Sequence, residues 1–115
     1  MVIPDPPLDA LLQSLVFALH YVPATARRLN SIDELPAHLR ARALAYRTWQ
    51  AWSDDTCVRF VCAHRVPGRP HPTVLAEFFD MDGRMVCAGV WRQNRSARWV
   101  LDAPVNHSSD RAFTP

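Results

Sequence analysis

The stretch that decides the fold is "VLAEFFDMDGRMVCAGVW", residues 74–91. It consists of two runs of strand-forming residues on either side of Asp82-Gly83, a dipeptide typical of tight turns because glycine accepts a positive φ. The sequence therefore predicts an antiparallel hairpin. Both runs are apolar at nearly every position, whereas a hairpin with one face in water alternates apolar and polar residues. We therefore expect that something packs against each face of this hairpin.

Further strands are predicted around the hairpin, because the apolar period is two from Thr56 onward. The segment "TCVRFVCAHRV" (56–66) precedes the hairpin strands "PTVLAEFFD" (72–80) and "GRMVCAGVWRQ" (83–93), and "SARWVLD" (96–102) follows them. Short turns join these segments, and strands joined in this way are antiparallel neighbours. The sequence therefore predicts a four-stranded β-meander.

Two helices are predicted before the strands. In "LDALLQSLVFALHYV" (8–22) leucines recur at three- and four-residue spacing, which favours a helix, although its apolar second half also fits a buried strand. Ser31 and Glu34 have the spacing of a capping box, and "PAHLRARALAYRTWQAW" (36–52) has one apolar stripe and an arginine-rich outer face. The predicted fold is therefore α+β, with two N-terminal helices packed on one face of a four-stranded antiparallel β-meander.

Length and composition predict one domain over residues 1–115, with 49% hydrophobic and 21% charged residues. The proline-rich segment 1–7 and the polar segment 103–115 are expected to be flexible ends. No apolar run reaches the ~20 residues that a bilayer span requires, and the acidic, proline-rich start does not resemble a secretory signal. We therefore expect a cytoplasmic protein with three reduced cysteines and no membrane segment.

All fixed positive charge is arginine, with 13 arginines and no lysine. Together with abundant alanine and proline, this bias is typical of a GC-rich bacterial coding sequence, so we expect a bacterial protein. Selection for bidentate contacts to carboxylates or phosphates stays open as a second explanation.

The strand pattern predicts two unlike sheet faces. The helices are expected on the face that carries Phe60, Phe78 and Trp91. The other face is predicted to be an apolar strip crossed by charges, which is typical of an interface or ligand surface. This candidate ligand or partner surface comprises Arg59, Arg65, Leu75, Glu77, Phe79, Val90, Arg92 and Trp99. We expect a second copy of the chain to cover it, giving a homodimer.

No catalytic residue, metal site or cofactor site is predicted. Glu77 is the one carboxylate inside a predicted strand, and it fits either acid–base work or an ion pair with Arg59 or Arg65, of which the pair is favoured. Cys62, His64 and Cys87 are expected on one face and would make a Cys2His zinc set conceivable. Buried thiols that act as small hydrophobic groups are the favoured explanation.

In "WRQNRSARW" (91–99), arginines alternate with tryptophans, a pattern that suits phosphate contact plus base stacking. The candidate nucleic-acid contacts are Arg92, Arg95 and Arg98. The same pattern fits a solvated hairpin tip beside a core tryptophan, and that interpretation is favoured over nucleic-acid binding.

The segment "FFDMDGRMVCAGVW" (78–91) resembles the strand-turn-strand hairpins of hot-dog thioesterases and SnoaL-like cone-shaped domains, which often carry an Asp-x-Asp-Gly-Arg turn. The resemblance implies a domain that binds or turns over a small apolar or acyl substrate, with Glu77 as the group to examine. No catalytic residue of either family is carried over, and the order of two helices before four strands departs from both.

The sequence as a whole favours a small regulatory or accessory binding protein over an enzyme, homodimeric through a sheet face. A protein partner or a small apolar ligand is expected at the second face. A small-substrate domain and a nucleic-acid binder that uses the Arg/Trp hairpin remain the alternatives.

Overall fold

The computed structural model describes residues 6–54, 58–80 and 82–105. The elements follow in the order α1 (Leu8–Ala18), β1 (Arg27–Arg28), a 3-10 turn (Ile32–Glu34), α2 (Ala37–Tyr46), β2 (Trp49–Ser53), β3 (Val58–Arg65), β4 (Thr73–Phe79), β5 (Met85–Gln93) and β6 (Trp99–Pro104). The strands form one antiparallel sheet in chain order, which confirms the α+β class. Among these residues, no helix is both long and apolar enough to cross a membrane.

The sheet has six strands, so the predicted number of four was wrong. The sequence pattern predicts segment 49–52 as part of the second helix, whereas this segment belongs to β2, which pairs with β3. The helix ends at Tyr46 because Arg47 adopts a left-handed conformation with φ 64°, and its N–H donates to the carbonyl of Ala43 at 3.0 Å. Trp49 and Trp52 follow Tyr46 at helical spacing, but aromatic residues also favour strands, and pairing with β3 decides between the two.

The two helices lie on opposite faces of the sheet, which corrects the prediction that both pack on one face. The α1 face is the side on which the buried residues of α1 meet Trp52, Val61, Ala63, Val74, Ala76, Phe78 and Trp91. The α2 face is the side on which Leu39 and Ala43 of α2 meet Ala51, Phe60, Cys62 and Phe79. The apolar hairpin is thus covered by a different helix on each side.

The register between β3 and β4 explains the error. Phe60 lies opposite Phe79 and Val61 lies opposite Phe78, so Phe60 and Phe78 are on different faces. A shift of one residue moves every side chain to the other face, and β3 is apolar on both faces around Phe60 and Val61. Alternation alone therefore did not determine which face of β3 matches which face of β4.

The turn of the decisive hairpin forms around Asp80 and Gly83, as predicted from Asp82-Gly83. Gly83 has φ 81°, and the Asp80 carboxylate accepts hydrogen bonds from the backbone N–H groups of Asp82 and Arg84, both at 3.0 Å. A register shift at Phe78/Phe79 places Met85 opposite Phe79, whereas the alternation of an unbroken strand predicts Met85 on the face of Cys87 and Phe78. The bulge accounts for this difference because it adds one residue to β5.

The predicted flexible ends fall mostly on residues 1–5 and 106–115, which lie outside the described residues. Within the described part, β6 continues to Pro104. At the other end, the Pro7 carbonyl accepts a hydrogen bond from Leu11, so helical bonding begins there. The first segment is a helix, which resolves the open choice between helix and strand.

Candidate ligand-binding groove

The eight residues predicted to form one surface are divided between the two faces. Leu75, Glu77, Phe79, Val90 and Arg92 share the α2 face. Arg59 and Arg65 lie opposite, on the α1 face, because they alternate with Phe60 and His64 along β3. Trp99 also lies on the α1 side, where its indole N–H donates to Ser14 Oγ at 3.0 Å.

Phe79 is not a surface residue. It is 1% exposed, and the guanidinium carbon of Arg42 lies 4.6 Å from its ring centroid. Helix α2 therefore fills the place that the sequence had assigned to a second copy of the chain. Of the predicted surface, Leu75, Val90 and Arg92 remain partly exposed on this face.

Glu77 is held by α2 rather than by Arg59 or Arg65, the partners predicted for it. The carboxylate is buried, with the residue 6% exposed; its Oε1 accepts a hydrogen bond from the Tyr46 hydroxyl and lies 3.8 Å from Arg42 Nη1. Burial raises the pKa of Tyr46, and the bond to Glu77 raises it further, so the phenol remains a donor. This contact ties the end of α2 to the middle of the sheet.

A groove lies on the α2 face, at the end of the sheet where β4 begins and β5 ends. Its cavity of about 380 Å³ is lined by Arg69, Pro70, His71, Thr73, Arg92 and Asp102. Arg69 Nη1 donates to Asp102 Oδ2 at 3.2 Å, and Arg92 Nε donates to Asp102 Oδ1 at 3.1 Å. The two arginine side chains keep 44% and 37% of their surface exposed, so water and solutes reach them.

A bulge in β6 brings Asp102 to this groove. Leu101 lies opposite Trp91 and Ala103 lies opposite Val90, which leaves Asp102 as the extra residue between them. Bulges re-aim side chains and recur beside binding sites. The bulge allows the Asp102 carboxylate to contact both Arg92 of β5 and Arg69, which lies in the connection from β3 to β4.

The groove carries an excess of positive charge, since two guanidinium groups share one carboxylate. A guanidinium has five N–H donors, and each of these arginines uses one of them on Asp102. Several donors therefore remain for a ligand, and guanidinium groups bind carboxylates and phosphates with charge-assisted hydrogen bonds. The sequence indicates Arg92 as a candidate but gives no signal for Arg69 or Asp102, because only the folded sheet brings the three together.

The cysteines do not form the conceivable zinc set. Cys62 lies opposite Glu77 on the α2 face, whereas Cys87 lies opposite Phe78 on the α1 face. Within residues 6–54, 58–80 and 82–105, no group of three or more His, Cys, Asp or Glu residues is arranged to hold a metal ion. Burial raises the pKa of the Cys62 thiol to about 12, and the nearby Glu77 charge contributes to the increase. Cys57 lies outside the described residues.

In the segment predicted to contact nucleic acid (91–99), the tryptophan side chains face the protein. Trp91 is 6% exposed and packs edge-on against Phe78, with ring centroids 5.4 Å apart. Arg92 is paired with Asp102, while Arg95 and Arg98 are exposed at the turn. The alternation of arginine and tryptophan therefore separates a core side from a solvent side.

The fold and the groove together define a small α+β protein with one helix on each face of a six-stranded antiparallel sheet and an arginine-lined groove at one end of the α2 face. Comparison with protein-family models, with curated proteins and with solved structures found no match for the chain. The resemblance to hot-dog and SnoaL-like hairpins therefore rests on residues 78–91 alone.

Proposed function

We propose that this protein acts by binding a small anionic ligand in the groove between Arg69 and Arg92. The observation that supports the proposal is the sharing of the Asp102 carboxylate by two partly exposed guanidinium groups at the wall of a cavity. Such a site attracts an anion and retains donors to bind it. The proposal keeps the role that the sequence favours, a bacterial cytoplasmic regulatory or accessory protein.

Binding rather than catalysis is supported by the position of Glu77. This carboxylate is the acid–base candidate that the sequence offers, and it lies beneath α2 with Tyr46 and Arg42 as partners. It does not line the groove. The acid in the groove, Asp102, accepts hydrogen bonds from both arginines, which suits positioning of the guanidinium groups.

The proposal is tested by titrating isotopically labelled protein with sodium acetate and with inorganic phosphate, using choline chloride as the cationic control. We expect saturable shifts of the backbone amide signals of Arg69, Thr73 and Arg92 with the anions only. Arg92→Gln should weaken binding about tenfold, because it removes charge-assisted hydrogen bonds. Arg95→Gln, on the exposed turn of the same hairpin, is the matched control and should leave the affinity unchanged. Equal affinities in the two variants would contradict the proposal.

Self-association is a second candidate, at the edge of the sheet rather than at the face that the sequence predicts. Leu101 is 50% exposed on the α1 face of β6. Its side chain packs over Gly89, with Cδ1 2.7 Å from the position that a Cβ on this glycine would occupy. In the described part of the chain, β6 forms one edge of the sheet. An exposed leucine on an edge strand favours pairing with another chain.

Sedimentation velocity tests this second candidate. We expect wild-type protein to dimerise and Leu101→Glu to be monomeric, while Leu44→Glu serves as the control because Leu44 is 69% exposed on α2. A wild-type monomer at ~100 μM, far above the dissociation constants of stable interfaces, would remove this candidate.

A further inference from the structure

The surface beside the arginine groove is apolar and partly exposed. Leu75 lies opposite Val90, and Thr73 lies opposite Arg92, so these two cross-strand pairs follow each other on the same face of β4 and β5. The pairs are two residues apart, or about 7 Å along the strands. The side chains of Leu75 and Val90 therefore begin where the charged groove ends, and we call these two residues the shelf.

Helix α2 forms a wall at one side of the shelf. His64 lies opposite Leu75, and its ring stacks on Tyr46 at the end of α2, with centroids 5.7 Å apart and 19° between the planes. The residues beneath α2, such as Phe79, are buried, whereas the two shelf residues are each only partly covered. Helix α2 therefore ends before it covers the shelf, which lies between Tyr46 and the two arginines.

We infer that the ligand is an anionic amphiphile, with a carboxylate or phosphate head at Arg69 and Arg92 and an aliphatic tail on the shelf. The inference rests on the proposed function and specifies the ligand of the same groove. Its support is complementarity of charge and polarity, because a site with guanidinium donors at one end and partly exposed aliphatic side chains at the next cross-strand pair on the same face, about 7 Å further along the strands, matches a molecule of that construction. A ligand of this kind removes the shelf from water and pairs the excess positive charge.

The test is a calorimetric series with acetate, butyrate, hexanoate and octanoate, and hexyl phosphate distinguishes the two kinds of head group. We expect affinity to increase two- to fourfold for each methylene, as apolar burial predicts. Hexanol and hexylamine, which keep the tail and lack the anion, should bind at least tenfold more weakly than hexanoate. In Leu75→Gln the dependence on chain length should flatten while acetate affinity is retained. Leu44→Gln, an exposed leucine of α2, is the control and should behave as wild type.

The outcomes separate this inference from the proposed function. Binding that depends on Arg92 but is equal for acetate and octanoate overturns the amphiphile inference and leaves the anion site intact. Absence of binding by every carboxylate and by phosphate overturns both. If a substitution prevents folding, the wild-type chain-length series still decides the question. A wild-type dimer that Leu75→Gln converts to monomer would assign the shelf to a second copy of the chain and would also overturn the inference.

Discussion

Phe78 and Phe79 are consecutive residues of β4, yet they belong to two different hydrophobic cores. Phe78 packs edge-on against Trp91 beneath α1, and Phe79 lies 5.9 Å from Phe60, ring centroid to ring centroid, beneath α2. Both side chains are almost completely buried. The sheet is therefore a partition between two cores, and each helix covers the apolar side chains of one face.

The two-core arrangement predicts that the neighbouring phenylalanines are equally sensitive to truncation. Phe78→Ala and Phe79→Ala should each lower the free energy of unfolding by about 3–5 kcal/mol, because each leaves a cavity in a packed core. Urea denaturation followed by circular dichroism measures the effect. Val86→Ala is the control, since Val86 is 59% exposed and the change should stay within about 0.5 kcal/mol. If Phe79→Ala cost no more than Val86→Ala, α2 would not cover this face.

The hydrogen bond from Tyr46 to Glu77 should stabilise the position of α2. Tyr46→Phe is expected to lower the free energy of unfolding by about 1.5–3 kcal/mol, the contribution typical of a hydrogen bond to a charged group. A double-mutant cycle with Glu77→Gln measures the coupling, which should be at least about 0.5 kcal/mol for residues in contact. Additive effects of the two substitutions would show that the two side chains do not interact in solution.

Both tyrosines of the chain should ionise above their ordinary range. Burial raises the pKa of Tyr21 from 10.0 to about 12, and its hydroxyl lies 3.1 Å from the Phe60 carbonyl. Because the folded state favours the neutral phenol, this contribution to stability is complete below pH 10 and is lost as the pH rises toward 12. We expect native protein at pH 10 to show little tyrosinate absorbance and urea-unfolded protein to show about half of the full signal.

The pH dependence of stability gives an independent check on Tyr21. The free energy of unfolding should decrease between pH 10 and pH 12, and the decrease should be smaller in Tyr21→Phe. A tyrosinate titration of the native state that coincides with that of the unfolded state would contradict the partly buried positions of both phenols.

The two described thiols should differ in reactivity. Burial raises the pKa of both thiols, but Cys87 remains exposed, whereas Cys62 is completely buried and its pKa is raised further, to about 12. In a Cys57→Ser background, a thiol reagent at neutral pH should modify one cysteine rapidly and the second only after unfolding, because the thiolate is the reactive form. Cys87→Ser should remove the rapid phase. Rapid modification of both thiols in the native protein would contradict the packing of α2 over Cys62.

Local features of the chain can be predicted from the sequence because they depend on residues that are close to each other along it. The Asp82-Gly83 turn, the strand segments that flank it and the capping box of Ser31 and Glu34 each follow from neighbouring φ preferences or hydrogen bonds, and all three are present. The apolar pattern of residues 74–91 also required cover on both faces. That requirement is met, although by two helices of the same chain rather than by a second copy.

Tertiary structure alone decided which helix covers which face and where the groove forms. The connection from Val66 to Pro72 leaves the register of β3 on β4 undetermined locally, and a slip of one residue exchanges Phe60 with Val61 between the two cores at no cost in local propensity. In the same way, Arg69, Arg92 and Asp102 come from separate segments, and their meeting depends on a bulge between β5 and β6. Period and turn chemistry act within a few residues, whereas register and side-chain convergence are set by the packing of the whole sheet against both helices.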